Sequence, residues 1–156
     1  MYRAGLRLAE ALALKPKDVD PDRGTITILH GEDDRRRTVG LDPGAMALVL
    51  RWVEKRHNLG ISNRKPLFCT LDGNPLYGSH VRTLLPRLAA KAAIDKRVHP
   101  HALRHSMAFE LMWEGVPVPI IQAQLGHASL ATTQRYLDHL APIQVVEVMQ
   151  RREWDI

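Results

Sequence analysis

Three groups in the second half of this chain are of types that suit work on a phosphodiester. His101 and Arg104 form a His-x-x-Arg pair, Leu125-Gly126-His127 follows, and Tyr136 comes a few residues later. An arginine presents a planar fork of donors that matches phosphate oxygens two at a time. An imidazole donates a hydrogen bond or moves a proton near neutral pH. A tyrosine hydroxyl can attack phosphorus and remain covalently attached. Each residue also has a bland reading. A lone tyrosine on an amphipathic helix is usually a packing or surface residue. His101 and His105, at i, i+4, would also suit a metal pair. The zinc-protease pattern needs a glutamate directly after the first histidine, and Ala102 stands there. No metal is expected, and His105 reads as structural or as support for the reacting groups.

Helical spacing brings the groups together. A helix opening near Pro100 puts His101 and Arg104 on one face. Ala108 continues that face and is small enough to let another body approach. Leu103, Met107 and Leu111 lie on a different face and seat the helix in a core. Gly115 is placed to end it. A short helix from Pro117 to Leu125 follows, ended by Gly126. Ser129 reads as the N-cap of a further helix that carries Tyr136. Three short helices thus converge on one point.

The pattern resembles the tyrosine recombinase (phage integrase) family. His101-Ala102-Leu103-Arg104-His105 matches the family's His-x-Leu-Arg-His box. Leu125-Gly126-His127 and Thr132-Thr133-Gln134-Arg135-Tyr136 match its Leu-Gly-His and Thr-Thr-x-x-Tyr segments. Gly5-Leu6-Arg7-Leu8-Ala9-Glu10-Ala11-Leu12 matches its first box, Gly-Leu-Arg-x-x-Glu-x-Leu. Alone, Arg7 and Glu10 would read as a surface ion pair of little worth. The three ordered boxes together are far more specific.

The resemblance implies a fold, a reaction and a set of roles. The fold is α+β and mainly α-helical, an integrase-type catalytic domain over residues 1–156 with a small three-stranded antiparallel sheet on one side. Tyr136 is the nucleophile and forms a 3′-phosphotyrosyl link. Arg7 and Arg104 clamp the non-bridging oxygens, His101 is general acid/base, and His127 adds a hydrogen bond to the phosphate. Glu10 orients Arg7. No cofactor is implied. The partners are double-stranded DNA and other recombinase subunits, four on two duplexes, with exchange of a C-terminal segment between subunits. The family also places a core-binding domain and a first catalytic helix ahead of the first box, so this chain is expected to be truncated at its N-terminus.

One departure stands out. The family carries a catalytic lysine on a hairpin turn, where it serves as acid to the leaving 5′ oxygen. Here the turn reads Gly31-Glu32-Asp33-Asp34-Arg35-Arg36-Arg37, which puts Glu32 in the lysine position. Arg35 or Arg36 could stabilise charge, yet arginine hardly gives up its proton. Arg35, Arg36, Arg37 and Arg82 are the candidate DNA-binding arginines, while Glu32 and Asp33 would repel DNA.

The rest of the chain must carry this machinery. Met1 to Leu14 reads as a helix with Leu8, Ala11 and Leu12 inward. Lys15 to Gly24 is a connector, and Thr25 to Leu29 and Arg36 to Leu41 are the strands of a hairpin. Asp42-Pro43 opens a helix with Met46, Val49, Leu50 and Val53 inward. Leu67 to Thr70 reads as the third strand. Ser79 is placed to cap a helix whose stripe is Val81, Leu84, Leu85 and Leu88, with Arg82, Arg87 and Lys91 off it. His30, His57, His80, His99 and His139 read as surface residues. A last helix from Pro142 either packs on its own domain or docks on a neighbour, and Trp154 adds an apolar group.

At 156 residues the chain is long enough for one domain with a proper core, and its net charge of +5 favours a polyanionic partner. No apolar run reaches membrane-spanning length. Cys69 is alone, which fits a reducing cytoplasm. Two other readings stay open: a DNA-binding module of the same fold with weak or no catalysis, and a type IB topoisomerase-like enzyme.

Overall fold

In the computed structural model the described residues are 1–29, 31, 36–126, 146 and 149–151. Glu32, Arg35, His127, Ser129, Tyr136, Val145, Val148 and Trp154 lie outside them.

The chain begins with a turn at residues 2–4 and a lead-in anchored by buried Ala4 and Leu6. Gly5 between them has φ +64°, and a Cβ there would stand 3.0 Å from both Leu125 Cδ2 and Met107 Sδ. This left-handed step delays the first helix, α1 (Leu8–Ala13), which starts at Leu8 and not at Met1 as the apolar spacing suggested. Arg7 is its N-cap in extended backbone, and Glu10 reaches back to accept the Arg7 N–H at 2.8 Å. That satisfies one of the donors a helix start leaves orphaned.

A 3₁₀ turn at Pro16–Asp18 leads into β1 (Val19–Asp20), β2 (Thr25–Ile28) and β3 (Arg37–Gly40), an antiparallel sheet in that order. Alternation turns Ile26, Ile28 and Val39 into the core. The expected third strand, Leu67 to Thr70, is not part of this sheet. Trp52 Nε1 and Arg56 Nη1 donate to the Leu67 carbonyl at 2.7 and 2.6 Å, and the Leu67 N–H donates to the Leu14 carbonyl. Cys69 pairs only with Pro75, in an isolated bridge. With the Leu67 groups already engaged, Val19–Asp20 takes the place at the edge.

Helix α2 (Pro43–Asn58) starts as its sequence dictates, with Asp42 accepting the Ala45 N–H at 3.0 Å and Pro43 in the first turn. Its inner face is Met46, Val49, Trp52, Val53 and Arg56; Leu50 is exposed. Helix α3 (Gly78–Lys91) opens a residue ahead of Ser79 with Tyr77 as N-cap, so Ser79 sits inside the first turn. Its stripe is only partly covered: Val81 and Leu85 are half-buried, Leu84 and Leu88 are exposed, and Ala89 makes the buried contact. α3 meets α1 and α4.

Helices α4 (Pro100–Trp113) and α5 (Val118–Leu125) share a second core of Met107, Ala108, Met112, Ile121 and Leu125. Ala108, expected on the approachable face, is buried here. Gly126 ends α5 in the left-handed conformation (φ 68°, ψ 44°). Gln124 joins the two cores: its Oε1 accepts the Gly40 N–H at 3.0 Å, and its Nε2 donates to the Gly40 carbonyl at 2.8 Å. The side chain thus acts as a short piece of strand on the open edge of β3. Among the described residues no helix is long and apolar enough to cross a membrane.

Candidate active site

Arg104 lies at the seam between the two cores and is 3% exposed. Its Nη1 donates to the Gly5 carbonyl and its Nη2 to the Leu125 carbonyl at 2.7 Å. One side chain therefore ties the lead-in, α4 and the end of α5 together. These contacts hold the guanidinium in place before any ligand arrives.

The cap and first two turns of α4 carry three histidines. His99, expected at the surface, is the half-buried N-cap, and its Nδ1 accepts the Ala102 N–H at 3.2 Å. The cue was the following Pro100, which favours the first helical position and so marks His99 as the cap. His101 and His105 meet edge to face with ring centroids 4.2 Å apart. Burial lowers the pKa of His101 below its usual 6.5, reinforced by the charges of Arg104, His99 and Arg7. Burial lowers His105 to about 4, with His101, Arg104 and His99 adding to it. Both imidazoles are therefore neutral at pH 7, and a neutral His101 is able to accept a proton.

Arg7 stands at the cap of α1, one-third exposed, and its Nη1 donates to Glu10 Oε1 at 3.0 Å. Glu10 also receives both terminal nitrogens of Arg37, at 2.7 and 2.8 Å. Burial pushes the Glu10 carboxyl up, but the hydrogen bonds from Arg37 and from the Arg7 N–H, with the Arg37 charge, outweigh it and hold the group below its usual 4.5. Arg37, expected to face DNA, thus directs its whole fork inward. Arg36 beside it is exposed.

Arg7, His101 and Arg104 line one recess of about 680 Å³, together with Arg82, Arg97 and His99. Among the described residues no carboxylate lines it. Arg97 was not singled out by sequence; it lies just before the helix start at Pro100, where a cation belongs beside the His-x-x-Arg pair. Arg87 and Lys91 are exposed and outside the recess. Arg35, His127 and Tyr136 lie outside the described residues. Such a cationic recess, holding four arginines with Arg7 and Arg104 among them and the neutral His101 imidazole, is suited to a phosphodiester whose negative charge grows during reaction.

The sequence pattern of the phage integrase family matches residues 1–141. The chain belongs to the phage integrase family. It is 35% identical over 148 residues to the tyrosine recombinase XerC of Alcanivorax borkumensis, covering 92% of this chain and 48% of that protein. It is 36% identical over 138 residues to XerC of Nitrobacter winogradskyi, covering 87% of this chain and 42% of that one. The chain spans about half the length of these curated relatives. Among solved structures, a XerA recombinase superposes with a TM-score of 0.86 at 30% identity, over 98% of this chain and 56% of that one. A XerH site-specific recombinase bound to palindromic difH substrate, in a post-cleavage complex, gives 0.75 at 29% identity, over 97% and 44%. The catalytic domain of bacteriophage HP1 integrase shares the fold, with a TM-score of 0.60 at 21% identity over 97% of this chain and 77% of that one. The mainly helical α+β architecture with its small sheet is thus that of integrase-family catalytic domains.

Proposed function

We propose that this chain is the catalytic part of a site-specific DNA recombinase that cuts and rejoins strands through a 3′-phosphotyrosyl intermediate. One observation carries the reading: Arg7, Arg104 and His101 line a single recess with no carboxylate among its described lining residues. Arg7 and Arg104 clamp the non-bridging oxygens, where charge rises in the transition state. Tyr136 attacks phosphorus. Its proton passes to a base, for which the neutral His101 is the candidate, and the 5′ oxygen leaves and takes up a proton from solvent water. Attack of another strand's 5′ hydroxyl reverses the step and frees the tyrosine, so the energy of the phosphodiester is conserved and no ATP is consumed. His127 donates a hydrogen bond to the phosphate. Glu10 and His105 support this set from behind, and Arg36, Arg82 and Arg35 reach the flanking backbone. The scheme asks for no metal or cofactor.

The partners in this reading are double-stranded DNA and further recombinase subunits, assembled as a tetramer in the cytoplasm. Exchange of the C-terminal segment is supported by exposed Phe109 and Trp113, stacked on α4 with centroids 5.8 Å apart, and by exposed Ile120 on α5.

The test is a nicked suicide duplex carrying candidate junctions of the host element, resolved on a denaturing gel. A protein–DNA adduct that disappears in Tyr136→Phe and falls steeply in Arg104→Ala is the expected result. Glu32 in the lysine position favours a second reading, a DNA-binding module without useful catalysis. That reading predicts no adduct and salt-sensitive binding that survives both substitutions. Relaxation of plasmids lacking any specific site would instead indicate a topoisomerase.

A further inference from the structure

We infer that Arg37 is a positioning residue: from strand β3 it holds the Glu10 carboxylate in one orientation, and Glu10 in turn holds Arg7. The inference rests on the reading of Arg7 as a phosphate ligand. The geometry is specific. Arg37 Nη1 donates to Glu10 Oε1 at 2.7 Å and Nη2 to Oε2 at 2.8 Å. From the other side, the Arg7 N–H donates to Oε2 at 2.8 Å and Arg7 Nη1 to Oε1 at 3.0 Å. Each carboxylate oxygen therefore receives one donor from each arginine. A carboxylate gripped by a parallel fork cannot turn about its terminal bond, so the plane in which it presents Oε1 to Arg7 is set by Arg37.

Arg37 is itself held. It opens β3 in register with Ile28, and its side chain is 13% exposed against 4% for Glu10. Its guanidinium lies against Gly126, where any added Cβ would run into it. Gly126 thus leaves room for the fork as well as ending α5. The same arginine touches the hairpin, the first box and the end of α5 that Arg104 grips through the Leu125 carbonyl. A lysine at this position would keep the charge and lose the plane, because an ammonium cannot meet two coplanar oxygens in parallel.

The test has two readouts, the first independent of DNA. In the protein with ¹⁵N-labelled arginine side chains, Arg37→Lys is expected to release the Arg7 guanidinium into fast rotation. The Arg104 guanidinium, held by two backbone carbonyls, should stay ordered. An unchanged Arg7 signal, or loss of both signals together, would overturn the inference. Should Arg37→Lys not fold, Arg37→Gln removes the fork while leaving both Arg7–Glu10 bonds able to form, and carries the same expectation. The second readout is adduct formation at saturating suicide duplex. Arg37→Lys should slow it about 100-fold, the scale of a misplaced reacting group, with half-saturation unchanged. In an Arg7→Ala background it should add nothing; an additive loss means a separate structural role and overturns the inference. A parent that forms no adduct would defeat the recombinase reading while the spectra still decide the role of Arg37.

Discussion

Among the described residues two arginines are buried, Arg56 and Arg104, at 1% and 3% exposure. Both donate to backbone carbonyls. Arg56 serves Pro66, Leu67 and Ser62, the last at 3.1 Å, and its Nη1 also lies 3.4 Å from Cys69 Sγ. Arg104 serves Gly5 and Leu125. By burial and partners alone the two could not be told apart. The difference is what lies in front of them. Arg56 faces the loop it stitches to α2, while Arg104 forms a wall of the recess that it shares with Arg7 and His101. A buried arginine is thus a sign of structure, and it becomes a sign of function where it opens onto a space lined by a second arginine. Fixing Arg104 through carbonyls also has a catalytic use, since a preorganised donor needs no rearrangement when charge develops.

The sharpest way to break this comparison is to replace each arginine by lysine. Arg104→Lys keeps the charge and loses the fork, and adduct formation should fall about 100- to 1,000-fold, the usual loss for one preorganised donor. Arg56→Lys should form adduct at the parent's rate per folded molecule and show its effect in thermal unfolding. Equal losses of cleavage in two well-folded variants would mean that the recess does not separate the roles. Next in size is Arg56→Met, which takes the donor from the Pro66 carbonyl and leaves Leu67 with Trp52 and Ser62 with the Lys65 N–H. Losing bonds to a charged donor should cost about 3 kcal/mol and lower the Tm by about 6–12 °C for a chain of this length.

The sequence made one half of this comparison legible and hid the other. The boxes named Arg7, Glu10, His101 and Arg104 before any fold was known, because each box is local and its spacing matches helical geometry. Arg56 was passed over, although it continues the α2 stripe of Val49, Trp52 and Val53. A cation on an apolar stripe is a signal that could have been read. The target of Arg37 was hidden because it lies on α1, far back in the chain, and no local period encodes such a pairing. The start of α1 and the third strand were misplaced for related reasons. Gly5 turns left-handed under Leu125 and Met107, and the Leu67 carbonyl is claimed by two side chains of α2.

Titration offers a finer distinction. His105 is held to about 4 in the fold against its usual 6.5. Between those values the unfolded chain takes up the proton first, so stability is full above pH 6.5 and falls as pH drops toward 4. Glu10, held below its usual 4.5, adds a further loss that begins as pH falls through 4.5, where the unfolded chain protonates first, and is complete once the carboxylate protonates in the fold. Urea melts of the parent at pH 7.5 and 5.5 should therefore differ, and His105→Gln should narrow the gap. His101 is also lowered, so adduct formation should persist below pH 6.5 before the imidazole protonates. Cleavage that fails as soon as pH drops below 7 would place the working base elsewhere.

The smallest effects test whether the recess is the track of the DNA backbone. Arg82 and Arg97 line it, while Arg87 sits on the same helix as Arg82 and does not. Each phosphate contact contributes about 0.9 to the slope of log affinity against log salt. Arg82→Ala and Arg97→Ala should each flatten that slope by about this amount, and Arg87→Ala should leave it unchanged. None of the three should alter the rate of adduct formation at saturating duplex by more than a few-fold, because they lie beside the reacting phosphate and not on it. Equal slopes for Arg82→Ala and Arg87→Ala would mean that DNA sees α3 as a diffuse cationic face. The recess would then account for the reaction at Arg104 without accounting for how the duplex is held.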